Sequence, residues 1–108
     1  MTVSTTLVTL DGTAQQLAAA AGEAGGAGVS RLFVEPLRTN THIVSVGTSA
    51  VTADGSGTGV IAELAVPGVG ILDRFDMQDQ NSRNTIVPTQ FYVRGTSTEK
   101  VKVTTFTV

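Results

Sequence analysis

Apolar and polar positions alternate along short stretches of this chain, and the stretches recur about every ten residues. TVSTTLVTL (2–10) alternates imperfectly and predicts a first strand. Further strands are predicted over VSRLFVEP (29–36), THIVSVG (41–47), VIAELAV (60–66), ILDRFDMQD (71–79), TQFYVRG (89–95) and KVKVTTFTV (100–108). Turn chemistry separates them: Asp11-Gly12, DGSGTG (54–59), Pro67-Gly68, the polar loop QNSRNT (80–85) and GTSTEK (95–100).

One stretch departs from a period of two. Thr13-Ala14-Gln15-Gln16 matches a capping box, in which the Thr13 hydroxyl accepts from a helix amide and Gln16 reaches back. QLAAAA follows, and Ala is the best helix former. Gly22 supplies a stop. The pattern predicts a short helix over 14–21, then a connector, GEAGGAG (22–28). The fold class is therefore all-β: an antiparallel sandwich or jelly-roll-like barrel with one short helix near the N-terminus. Its 108 residues suit one domain, with residues 1–10 as an extended arm or an edge strand. The predicted core is Leu32, Val34, Val44, Val46, Ile61, Leu64, Phe91, Val93, Val101 and Val103.

Composition agrees. Thr and Val, both β-branched, suit a pleated sheet. With four Phe, one Tyr and no Trp, aliphatic side chains must fill the core. Charged residues make up 15% and the net charge is −2, with the seven Lys and Arg scattered, so no nucleic-acid footprint is expected. No apolar run approaches the ~18 residues of a membrane span, and MTVSTTLVTL lacks the basic start of a signal peptide. The absence of Cys excludes disulfides and thiolate chemistry and fits synthesis in a reducing cytoplasm.

Candidate chemistry is sparse. In GTSAVTADGSGTGV (47–60) the glycines lack the Lys of a P-loop, and the apolar run after them reads as a strand, so no helix N-terminus is available for a phosphate. A turn between two strands is the expected role. His42, the sole histidine, lies within a predicted strand without a carboxylate nearby in sequence. Ser97-Thr98-Glu99-Lys100 matches S-x-x-K, but a turn cannot bring its Ser and Lys onto one face. Asp73, Asp76 and Asp79 are spaced by three, which on a strand scatters them to opposite sides; Arg74 and Arg83 are their expected ion-pair partners. Phe91 and Tyr92 are adjacent and face opposite ways, with Tyr92 the one expected at the surface. No cofactor, metal or catalytic set is expected, and the profile is that of a structural or binding module.

Three segments carry a resemblance: NTHIVSVG (40–47), AVTADGSGTG (50–59) and QFYVRGTSTEKVKV (90–103). Over about residues 32–108 the chain resembles small accessory structural proteins of tailed bacteriophages. The first segment is similar to that family's Asn-rich entry into an apolar strand. The second is similar to its glycine-rich turn, and the third to its last hairpin. The resemblance implies a non-enzymatic head decoration or cement protein, made in the host bacterial cytoplasm and placed on the capsid surface. Its implied partner is the major capsid protein, and its implied state a homo-oligomer, with a trimer in view. It implies no nucleic acid and no membrane. Because TVSTTLVTL offers an uncharged edge, the expected capsid or subunit contacts are Thr2, Val3, Thr5 and Leu7, with Arg74, Arg83 and Tyr92. The alternative is a fibre- or tail-associated module that binds a host glycan or another virion protein.

Overall fold

A computed structural model describes residues 1–17, 28–54, 56–70, 72–81 and 83–108. Among the described residues there are eight strands: β1 (Thr2–Thr9), β2 (Gln15–Gln16), β3 (Arg31–Pro36), β4 (Val44–Gly47), β5 (Val60–Leu64), β6 (Phe75–Gln78), β7 (Tyr92–Arg94) and β8 (Lys100–Thr107). They form two four-stranded antiparallel sheets, ordered β1-β8-β3-β6 and β2-β7-β4-β5. The all-β class is thus as expected.

The predicted helix is not seen. Gln15 and Gln16 pair with Val93 and Tyr92 as a short strand, and residues 18–21 lie outside the described residues. The capping box fails for a local reason. The Thr13 hydroxyl donates to Asp11 Oδ1 (2.6 Å) instead of accepting from a helix amide, and the Gln16 amide donates to the Thr89 carbonyl (2.9 Å). Asp11 closes its own turn, because Thr13 N also donates to it (2.9 Å). Both Thr13 bonds favour the charged carboxylate and hold Asp11 below its ordinary pKa.

Side chains from both sheets meet in one cluster. Val8, Leu32, Val34, Phe75, Val101 and Val103 come from the first sheet, and Val44, Val46, Leu64 and Val93 from the second. Eight of the ten expected core residues are buried. Ile61 is not, at 52% exposure: Val46 pairs with Ala62, so Ala62 and Leu64 point inward and Ile61 takes the other face. Phe91 is half-buried and packs on the cluster beside Phe75, with ring centroids 6.0 Å apart.

Strand bounds shrink where polar neighbours intrude. Of 72–79 only Phe75–Gln78 is a strand, with Ile71 outside the described residues, and 41–47 keeps only Val44–Gly47, with His42 exposed ahead of the strand. The expected final hairpin is a crossover. β7 pairs with β2 and β4, whereas β8 pairs with β1 and β3, so the turn at 95–99 carries the chain from one sheet to the other. Thr98, at φ 76°, makes that turn.

The outer side of the second sheet is fastened by Arg94. Its Nε donates to Gly12 O (3.0 Å) and its Nη1 to Val51 O (3.3 Å), joining the 11–14 turn to the 48–59 loop. Ser45, opposite Arg94 on β4, is fully buried, and its hydroxyl has no hydrogen-bond partner among the described residues. A buried hydroxyl without a partner carries its desolvation cost uncompensated. Ser45→Ala is therefore expected to raise stability by about 1 kcal/mol, read as a higher urea midpoint at unchanged slope.

Candidate functional site

Strand alternation builds the outer face of the β1-β8-β3-β6 sheet. With Val8, Val101, Val103, Leu32 and Val34 pointing inward, the opposite parity points outward. Register aligns Val3, Phe106, Arg31 and Gln78 in one row, and Thr5, Thr104, Phe33 and Asp76 in the next. Leu7, Lys102 and Glu35 form a third.

At the centre lies Phe33. Phe106 meets it edge-on, with centroids 5.4 Å apart and planes at 71°. The guanidinium groups of Arg31 and Arg74 each sit 4.3 Å from its centroid. Arg31 is itself held by Asp76 through a forked pair, Nε to Oδ1 at 3.3 Å and Nη2 to Oδ2 at 3.0 Å. That hydrogen bonding raises the Arg31 pKa further, so its charge is permanent. Phe33 itself is buried, at 9% exposure, with the two guanidinium groups above it, and each cation–aromatic contact contributes about 0.5–1 kcal/mol. Val3 and Leu7 flank the cluster at 52% and 53% exposure. The result is a face on which exposed Val3 and Leu7 border arginines held over an aromatic ring, and arginine and aromatic groups are enriched where proteins bind one another.

Of the expected contact residues, Val3, Thr5, Leu7 and Arg74 come together on this face. Thr2 has the opposite parity on β1. Arg83 lies in the 79–85 loop, where its charge helps lower the Asp79 pKa after the larger effects of the Thr85 hydroxyl and the Asn81 amide. Tyr92 is half-buried on β7 in the other sheet. Arg74 stacks on Phe33, and the ion pair falls to Arg31 and Asp76. Arg31, Phe33 and Phe106 were not among the expected contacts, although the alternation of Arg31, Phe33 and Glu35 against Leu32 and Val34 carried the signal.

Other candidate chemistry resolves into structural roles. Asp73 accepts from Ala65 N (3.0 Å) and Arg74 N (3.1 Å), while Asp79 accepts from Asn81 N and the Thr85 hydroxyl. No group of three His, Cys, Asp or Glu able to hold a metal occurs among the described residues. Glu99 accepts from Thr41 N (2.8 Å), the Thr41 hydroxyl (3.1 Å) and His42 N (3.1 Å), and lies 3.4 Å from His42 Nδ1. The Thr41 hydroxyl is 3.1 Å from that same nitrogen. A catalytic relay places hydroxyl and carboxylate on opposite ring nitrogens. Here both meet Nδ1, so the cluster holds a loop and has no relay geometry.

The glycine-rich stretch forms the loop between β4 and β5, which pair with each other. Asp54 Oδ1 accepts from Ser56 N (3.0 Å) and the Ser56 hydroxyl (2.6 Å), and Gly57 N donates to the Thr52 hydroxyl (2.9 Å). These amides are used within the loop. Among the described residues no helix is long and apolar enough to cross a membrane. The chain matches no family model, no curated protein and no solved structure.

Proposed function

We propose that this chain is a non-enzymatic accessory structural protein of a tailed-bacteriophage virion. In this reading it is a β-sandwich that decorates the outside of the head and bridges neighbouring capsomers. The observation that carries the reading is the outer face of the first sheet. Its exposed Val3 and Leu7 adjoin the Arg31–Phe33–Arg74 stack. Such a face desolvates at low entropic cost, because the arginines are already held by an aromatic ring and, for Arg31, by Asp76. Binding to a repeating shell adds avidity to individually modest contacts. The resemblance of the 40–47, 50–59 and 90–103 segments to phage accessory proteins supports the same reading.

The test is co-sedimentation of the purified protein with shells assembled from the major capsid protein of the same phage. Saturable pelleting is expected. Arg74→Ala is expected to weaken it about tenfold while costing about 1 kcal/mol of stability or less. Protein that stays in the supernatant at every shell concentration would sink the head assignment. Labelling of the tail or fibres in imaged particles would favour the alternative, a module that contacts a host glycan or another virion protein.

A further inference from the structure

We infer that β1 is a self-complementary edge that joins two copies of this chain, antiparallel and centred on Thr5, into one continuous eight-stranded sheet. The inference goes beyond the virion reading and does not rest on it.

The backbone fixes which groups are free. Leu37 N donates to Lys100 O (3.1 Å), so even-numbered residues of β8 turn their hydrogen-bonding groups toward β3. Leu10 N donates to Glu99 O (2.8 Å), so odd-numbered residues of this segment turn toward β1, and their register partners there are even-numbered. Val3, Thr5, Leu7 and Thr9 therefore direct their N–H and C=O groups away from the sheet, and among the described residues no strand pairs with them; the Thr9 carbonyl alone is occupied, by the Gln15 amide (3.3 Å), which leaves the stretch around Thr5 open.

The other three edges are blunted. β2 has two residues. β6 has four and includes Asp76. β5 has five, includes Glu63 and borders a register shift. β1 has eight residues with neither a charge nor a proline, and charges and prolines are the usual protections of an exposed edge.

The occupant follows from the pattern of side chains. An antiparallel partner must set odd residues against odd residues to use the free groups. When Thr5 faces Thr5 of the second copy, Val3 faces Leu7 of that copy and Leu7 faces its Val3. The two most exposed apolar residues of the strand then cover each other on the same face. Cross-strand Cβ atoms in such a pair lie about 5 Å apart, within contact. Phe106, opposite Val3 within its own copy, extends the apolar row across the junction. No charge lies on the strand to oppose self-pairing, and a two-fold contact of one patch with itself closes without forming a fibre.

The test uses the free full-length protein without shells. Sedimentation velocity at about 0.5 mM, where mass action favours assembly, is expected to show a dimer. T5K and T5E each place like charges at the two-fold axis, and each is expected to weaken the dimer about fivefold to tenfold while leaving the far-UV spectrum unchanged. Mixing T5K with T5E is expected to restore it, because only at this register does residue 5 meet itself. The chain has no Cys, so T5C oxidised by glutathione disulfide is expected to form a linked dimer, whereas T9C, far from its own symmetry mate, is expected to stay single. A wild-type monomer throughout the concentration range overturns the inference. So does a dimer indifferent to T5K and T5E, or a mixture no stronger than either alone. Should shells bind the protein while it remains monomeric, the edge serves the capsid protein instead, and the virion reading survives without this one.

Discussion

Gly47→Ala is expected to destabilise the protein by about 3 kcal/mol, the upper range for forced overpacking. A Cβ built on Gly47 would lie 1.9 Å from the Gly59 carbonyl oxygen and 2.9 Å from its carbon. Both are backbone atoms, and Thr48 N already donates to that same oxygen (2.8 Å). Neither side can yield without opening the β4–β5 pair where its register shifts. Because β4 is buried along its whole length, the disturbance reaches Val44 and Val46 in the core. Gly70→Ala is the control. Gly70 has φ +73° and open space around it, so its substitution costs only the left-handed backbone penalty, about 1 kcal/mol. Urea denaturation followed by far-UV circular dichroism would rank the two. Equal midpoints for Gly47→Ala and wild type would mean that close backbone approach is not why glycine stands at that position, and would reopen the search for a ligand of the loop.

The same stretch shows where reading the sequence succeeds and where it stops. Local signals decide local structure. Alternation placed β1, β3 and β8 within a residue or two, and Pro36 and Pro67-Gly68 mark the points where β3 and β5 give out. The apolar run after GSGTG is a strand, as expected, and the loop connects β4 to β5. What failed was set by distant partners. Gln15–Gln16 became a strand because β7 offers an edge to pair with, which the capping-box pattern does not reveal. Alternation and turn residues place β7 and β8 on either side of a turn, and the resemblance implies a hairpin there. Nothing local reveals that Val93 pairs with Val46 while Val103 pairs with Val34, in different sheets. Ile61 was placed inside for the same reason, since parity is fixed by the register with β4 and not by hydrophobicity. The outer patch was half legible: alternation gives the face of Arg31 and Phe33, but the choice of Asp76 for Arg31 and of Phe33 for Arg74 depends on β3 pairing with β6, 45 residues away in the Arg31–Asp76 contact.

The second large effect is expected at Asn40, which joins two segments that sequence alone could only set side by side. Asn40 is 4% exposed. Its amide donates to Lys100 O (2.7 Å) and its carbonyl accepts from Lys100 N (3.2 Å), so one side chain imitates a strand at the start of β8. Next to it, Glu99 receives Thr41 and His42. Asn40 and Glu99 thus clasp the entry to β4 against the crossover from β7 to β8. Asn40→Ala removes both bonds and orphans a backbone amide, which is expected to cost about 2–3 kcal/mol. That loss is independent of pH, since no titratable group is removed. Glu99 behaves differently. Burial alone would raise its pKa, but the Thr41 and His42 donors outweigh it and hold it below the ordinary value. A carboxylate with a depressed folded-state pKa contributes stability that is full above its unfolded value, near 4.5, and is lost as pH falls through the folded value. Glu99→Gln is therefore expected to lower the urea midpoint at pH 7 and to flatten its fall below about pH 4.5. Asn40→Ala is expected to shift the whole curve down in parallel, with the acid limb left by Glu99 and the lowered Asp11, Asp54 and Asp79 intact. If Glu99→Gln kept the wild-type acid slope, the carboxylate would not be the group that ties 41–42 to the crossover, and Asn40 alone would hold the two segments together.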